Sequence, residues 1–232
     1  SSLKTVLLFV LLLTNIQTQY LDMDVTMQQP FLNYIDYCRR GVFLPNRRLE
    51  RVENLKITLV IPMYNEENNV LPIIRSIQNQ NLQDFEIICV NDNSNDGTLS
   101  ILKSLQKEDP RIGVVENKIN MGSLYSKSIG VLHARGKYVY SLDSDDMFCA
   151  EDYLDTLYKE AIKGDYNIIE CEAIYLNERR KYIERHNPFW TVLWSKCVKT
   201  ESYQNAIYIV GKEVLENQVV IFDDDIIAMH FL

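Results

Sequence analysis

Between Lys56 and Tyr175 the chain alternates short β-branched runs with longer amphipathic stretches, and this alternation narrows the fold more than any other feature. Ile57-Thr-Leu-Val-Ile61 is a continuous, largely β-branched run, as a strand buried on both faces requires. Asn65 to Gln80 carries Val70, Ile73, Ile74 and Ile77 at helical spacing. Phe85 to Val90 reads as a second strand, and Asp96-Gly97-Thr98 opens a helix with Leu99, Ile101, Leu102 and Leu105 inside. Ile112 to Val115 is a third strand, and Gly122 to His133 a helix closed by Gly136. A fourth strand runs through Tyr138, Val139, Tyr140 and Leu142, followed by a helix from Glu151 to Ile162 and a strand from Asn167 to Tyr175. Strands separated by helices build βαβ units, so the predicted fold is α/β: a doubly wound, mainly parallel sheet flanked by helices.

In such sheets ligands bind at the C-terminal ends of the strands. Three predicted strand ends are rich in polar groups there. The first continues into Pro62-Met63-Tyr64-Asn65-Glu66-Glu67, and the second into Asn91-Asp92-Asn93-Ser94-Asn95-Asp96-Gly97-Thr98. The fourth ends in Asp143-Ser144-Asp145-Asp146, three carboxylates within four positions. Like charges this close need a counter-ion, and hard oxygen ligands suit magnesium, manganese or calcium. In an extended strand Asp143 and Asp145 point to one side, so both can reach the same ligand. Taken alone, D-x-D also fits a solvated acidic turn, and the loop from Asn91 an ordinary helix cap. No G-x-G-x-x-G or G-x-x-x-x-G-K-[ST] loop is present, which argues against a dinucleotide Rossmann site and a P-loop.

A net charge of −8 over 232 residues argues against a general nucleic-acid binder. Arg39-Arg40, Arg47-Arg48 and Arg179-Arg180-Lys181 are short surface clusters. The five cysteines lack C-x-x-C spacing, which excludes a zinc ribbon and a thioredoxin-type motif; mostly buried free thiols are expected, Cys89 among them. His133, His186 and His230 show no metal-ligand spacing. Val6 to Leu13 is an apolar run behind Lys4, too short for a span of about 20 residues and suited to a signal peptide or signal anchor. We therefore expect a leader or anchor over 1–20, a stem over 21–54 with one short helix near Pro30 to Arg40, and the functional domain over 55–232. Lys4 on the cytoplasmic side would place the remainder in the lumen of the endoplasmic reticulum or Golgi, with membrane association through the N-terminal segment.

I-P-M-Y-N-E-E, V-N-D-N-S-N-D-G-T, Asn120-x-Gly122 with Lys127 five positions on, and L-D-S-D-D stand in the order and spacing of one family. Together they resemble family 2 glycosyltransferases with the GT-A fold, over about Ile57 to Asp146. Trp194-Ser195-Lys196 and the run Asp223-Asp224-Asp225 are similar to the family's acceptor-side W-x-K element and its E-D catalytic-base element. The resemblance implies transfer of a sugar from a nucleotide diphosphate sugar, usually a UDP-sugar, to a glycan, protein or lipid acceptor, with inversion. By position, Pro62, Tyr64 and Glu66 would line the nucleoside pocket, and Asp92 would accept a hydrogen bond from the base. Asp143 would face the ribose and sugar phosphate, Asp145 would ligate a divalent cation (manganese or magnesium), and Lys127 would add a positive charge near the phosphates or carboxylates. Lys127 also suits an ordinary surface helix position. Asp225 is the favoured base, with Asp224 next, because three aspartates stand where the family has Glu-Asp. Asn91 and Ser128 depart from a frequent Asp and a frequent Asn, and the domain is expected to continue beyond Leu232.

Two other functions fit less of the pattern. A non-catalytic nucleotide-sugar-binding protein would explain the departures at Asn91 and Ser128. A sugar nucleotidyltransferase would carry a Gly-rich, Arg-containing loop after the first strand, and Pro62 to Glu67 contains no glycine. Phe189, Trp190 and Trp194 suit either stacking on an acceptor sugar or core packing.

Overall fold

The computed structural model of the chain describes residues 52–170, 173–176, 182–186 and 196–207. The N-terminal apolar run, nearly all of the stem, Phe189, Trp190, Trp194 and the Asp223–Asp225 run lie outside the described residues. Eight strands are present among them: β1 (Ile57–Met63), β2 (Phe85–Asn91), β3 (Ile112–Glu116), β4 (Tyr138–Ser141), β5 (Ile168–Glu170), β6 (Ala173–Leu176), β7 (Tyr182–His186) and β8 (Lys196–Lys199). The helices are α1 (Val70–Gln78), α2 (Thr98–Glu108), α3 (Ser123–Leu132) and α4 (Tyr153–Lys163), and residues 200–207 are also helical. None of the described helices is long and apolar enough to cross a membrane.

The main sheet has the order β3-β2-β1-β4-β8-β5. β3, β2, β1 and β4 are parallel, whereas β8 runs antiparallel between β4 and β5. Both faces are covered. On one face Ile57, Leu59 and Ile61 of β1, Ile87 and Cys89 of β2 and Tyr138 and Tyr140 of β4 share a core with α1, α2 and α4. On the other, α3 sets Gly130 directly against Val60 and Val90. Each fully buried aliphatic side chain contributes about 1.5–3 kcal/mol, so the fully buried, mostly apolar strands β1 and β2 add strongly to the stability of the sheet's centre.

Four expectations need correction. Helix α1 starts at Val70, not Asn65, because Asn65 has φ 56° and the amides of Asn65, Glu66 and Glu67 bond to the loop after β2. Gly136 does not close α3; that last turn is closed by the His133 and Ala134 amides donating to Ile129 and Val131 oxygens. Gly136 instead lies where the chain crosses β1, and a Cβ there would sit 2.8 Å from backbone atoms of Ile57 and Thr58. The single strand expected from Asn167 to Tyr175 is divided: β5 joins the main sheet, and β6 pairs with β7 in a separate ribbon. Finally, β8 was not anticipated. Periodicity identifies an extended segment but not the sheet it joins or its direction there.

The thiols follow expectation in part. Cys89 is buried, with its pKa pushed up to about 12 by desolvation, and Cys197 is also buried, but Cys149 is exposed. The His133 ring bonds to Ile129 O at 2.8 Å, as a locally satisfied histidine should.

Candidate functional site

Pro62 marks the end of the pairing between β1 and β4, while β1 stays in register with β2 through Met63. Val60 O accepts from the Leu142 amide, so even-numbered residues of β1 turn their backbone groups toward β4. Two residues on, proline offers no N–H, and the β1–β4 register stops at Val60 and Ser141. Freed from the ladder, the next residues form a turn in which the Asp146 amide donates to Asp143 O at 3.1 Å. The acidic group therefore sits on a turn and not on an extended strand, and the same-side geometry expected of Asp143 and Asp145 does not apply.

Three loops are bonded into one rim around that turn. Asn65 N donates to Ser94 Oγ (3.0 Å), Glu66 N to Thr98 Oγ1 (2.7 Å), Glu67 N to Asp96 Oδ2 (3.1 Å) and Gly97 N to Glu67 Oε2 (2.8 Å). Glu66 then reaches the acidic turn, where Ser144 Oγ donates to its Oε1 at 2.7 Å. Glu66 is thus the clasp between the β1 loop and the carboxylates. Tyr64, 44% exposed, stands open on the same rim.

Asp92 is buried at the end of β2 and holds the next loop. Its Oδ1 accepts from Asn117 Nδ2 (2.7 Å) and the Met121 amide (2.8 Å), and its Oδ2 from the Gly122 amide (2.7 Å). Burial raises its pKa, and these hydrogen bonds oppose the rise. Gly122 has φ 85°, a backbone conformation that glycine reaches without strain, and it presents its amide to Asp92 as α3 begins. The Ser126 side chain is a fourth donor to this carboxylate.

Lys127 of α3 is not a surface residue: its side chain is only 3% exposed, and Nζ lies 3.1 Å from Asp143 Oδ1. Burying an ammonium is costly unless a carboxylate meets it. Asp145 is exposed, and Asp146 is partly buried beside both neighbours. Desolvation first, then the charges of Asp143 and Asp145, push the Asp146 pKa up to about 6. The turn is thus a concentration of negative charge that Lys127 compensates only in part. Among the described residues no three ligating side chains converge on one point as a closed metal cage. A magnesium-type ion does not need one, since it binds through one or two carboxylates and completes its shell with phosphate oxygens and water. The donor set and its mutual repulsion fit such an ion, and Asp145 is the most exposed of the three carboxylates.

The structure therefore brings together Pro62, Tyr64, Glu66, Asp92, Lys127, Asp143 and Asp145 at one sheet edge, while Asp224 and Asp225 lie outside the described residues. Sequence reading missed Ser144 and Asn117, whose parts depend on contacts distant in the chain.

The glycosyl transferase family 2 sequence profile matches residues 58–225. A glycosyltransferase of Rickettsia felis is 31% identical over 169 residues, 72% of this chain and 28% of that protein. The GalNAc(5)-diNAcBac-PP-undecaprenol beta-1,3-glucosyltransferase of Campylobacter jejuni is 37% identical over 47% of this chain and 35% of its own length. S. aureus TarS (residues 1–349), solved with UDP-GlcNAc, shares the fold with a TM-score of 0.59 at 18% identity, over 75% of this chain and 52% of that one. The chain spans about a third or less of the length of these two sequence relatives and about half of that structure. Its sheet, its carboxylate turn and a profile match over well over half its length agree: the chain belongs to glycosyl transferase family 2, with a GT-A-type fold.

Proposed function

We propose that this chain carries the donor-binding part of an inverting, metal-dependent glycosyltransferase that moves a sugar from a UDP-sugar to an acceptor hydroxyl. The observation that carries the reading is the Asp143–Asp146 turn, clasped by Glu66 and backed by buried Lys127. A UDP-sugar combines a base and ribose with a doubly charged diphosphate, and the rim offers matching groups. Pro62, Tyr64 and Glu66 line the nucleoside side, and Asp92 accepts a hydrogen bond from the base. Asp143 meets the ribose and sugar phosphate, and Lys127 stabilises charge behind it. Asp145 holds manganese or magnesium, which when bound stabilises the charge growing on the departing diphosphate.

Transfer needs a base opposite the leaving group. Asp225, or Asp224 beside it, takes the proton of the acceptor hydroxyl as its oxygen bonds to the anomeric carbon and the bond to the diphosphate breaks. UDP is preferred as the nucleotide because TarS has been solved with UDP-GlcNAc. The sugar, and an acceptor of glycan, protein or lipid type, belong to the same proposal, as do a lumenal domain and membrane association through residues 1–20.

The test is calorimetric titration of UDP into the full chain, with manganese and then with EDTA, followed by assay of UDP-sugar turnover. Manganese-dependent binding with turnover is the expected result. Binding without sugar release would mark a non-catalytic nucleotide-sugar-binding chain, and no UDP binding in a folded sample would remove the donor assignment.

A further inference from the structure

The acidic turn is held on both sides by residues that border a single helix. Before it, Ser144 Oγ donates to Glu66 Oε1 at 2.7 Å, and Glu66 O accepts the Asn69 and Val70 amides where α1 begins. After it, residues 147–152 belong to no helix or strand, so their path depends on what they bond to. Those partners lie at the other end of α1. Gln80, 2% exposed, donates from Nε2 to Ala150 O at 2.7 Å and accepts the Leu154 amide on Oε1 at 3.0 Å. The Asn81 amide donates to Glu151 O at 2.7 Å, and the Phe148 amide stands 3.4 Å from Ser76 Oγ.

Gln80 is the side chain on which this second attachment turns. A residue that only fastened α4 to α1 would need the Leu154 bond alone. The Ala150 bond lies inside the irregular loop, four residues after Asp146, and sets where that loop leaves the turn. Phe148 is seated in the same place, with its ring 5.8 Å from Tyr140 and 5.1 Å from Tyr153. Between the two attachments α1 is a strut of about 13 Å, and a helix holds its length. The carboxylates are therefore hung between two points of fixed separation. A magnesium-type ion demands near-ideal ligand geometry, so that separation bears on how well it binds.

We propose that Gln80 is a positioning residue for the acidic turn: by fixing Ala150 and Leu154 to the end of α1, it holds Asp145 and Asp146 where a divalent cation can be bound. This rests on the donor-site reading given above.

The test measures manganese affinity of the full chain with UDP present, from the electron paramagnetic resonance signal of free manganese, beside uridine affinity by NMR titration in chelator. Gln80→Leu should weaken manganese by about tenfold, the scale on which groups that orient metal ligands act, while uridine stays within about twofold. Gln78→Ala is the control, since Gln78 lies on the same helix but bonds to Asp109 and Arg75; its manganese affinity should match wild type. Should Gln80→Leu fail to fold, Gln80→Glu keeps the acceptor for Leu154 and loses the donor to Ala150, and a loss of about threefold is expected. Manganese affinity within about twofold of wild type in the folded Gln80→Leu sample, or within error in Gln80→Glu where that variant replaces it, would overturn the proposal. So would an equal loss of manganese and uridine, which would leave Gln80 a purely structural role. A wild-type chain that takes up no manganese with UDP would overturn the metal-site reading and this proposal together.

Discussion

The two ends of the parallel sheet handle buried charge in opposite ways. At the N-terminal end Glu86 points into the α3 face, and its carboxylate is fully engaged. Thr58 Oγ1 and the Arg135 amide donate to Oε1 at 2.8 Å each, while Arg135 Nε and its terminal nitrogen donate to Oε2 at 2.9 and 2.5 Å. At the C-terminal end Asp143, Asp145 and Asp146 repel one another, the Asp146 pKa is raised, and Asn91 Oδ1 and Ser141 Oγ are buried without partners. One fold thus carries a closed charge network and an open one about a strand length apart. A closed network serves the fold alone. An open one lowers the stability of the free chain, and its unmet groups describe what can bind: cations for the carboxylates, and hydrogen-bonding groups for the Asn91 and Ser141 oxygens.

The contrast can be broken most severely at Asp145. Asp145→Asn should lower manganese-dependent turnover of a UDP-sugar by about a hundredfold or more, the scale of losing one charge-stabilising group, with the circular dichroism melt unchanged. Turnover at the wild-type rate would move the metal ligand elsewhere on the turn. The opposite end should respond in stability instead. Glu86→Ala leaves Thr58 and the Arg135 amide without their acceptor and should destabilise by about 2–4 kcal/mol in urea unfolding, with the UDP affinity of the folded fraction retained. A loss below about 1 kcal/mol would mean that Arg135, being half exposed, regains its interactions in water.

The two ends should also differ in their response to pH. The folded Asp146 pKa of about 6 lies above its ordinary 3.8, so the fold opposes ionisation of this group. Its contribution is intact below about pH 4 and is lost as pH rises through about 6. Asp146→Asn should therefore stabilise the metal-free chain by about 1–2 kcal/mol at pH 7, after allowance for solvent screening, and by nothing at pH 4. Thermal melts at the two pH values, with chelator present, would detect this. The smallest effect is expected at the clasp. Ser144→Ala removes one hydrogen bond to Glu66 and should cost about 1 kcal/mol or less, while turnover falls roughly three- to tenfold as the acidic turn loses its anchor. Unchanged kinetics would show that the turn holds its shape without Glu66.

Much of the architecture was legible in the residues because it rests on local regularities. The β1 and β2 runs, the helical spacing of Val70, Ile73, Ile74 and Ile77, and the order of the strands all appear in the structure. The polar strand ends likewise converge at one edge, since parallel strands with right-handed crossovers bring their C-termini together. Errors arose where a residue's first obligation is to a distant partner. Asn65 to Glu67 have helix-compatible surroundings, yet their amides are taken by the β2 loop some thirty residues away. Gly136 resembles a helix stop, but its lack of a side chain serves a close crossing with β1.

What this sequence determined by itself is the family, the alternating α/β fold and the concentration of carboxylates after β4, because each is written in spacing and chemical type along the chain. Tertiary structure alone decided which of those groups are compensated. It buried Lys127 against Asp143, turned Asp143 to Asp146 out of the strand beyond Pro62, tied Ser144 to Glu66, and inserted β8 antiparallel between β4 and β5. The physical reason is that charge compensation and hydrogen bonding act through space, between residues up to 78 positions apart here, whereas periodicity reports only a residue's immediate neighbours.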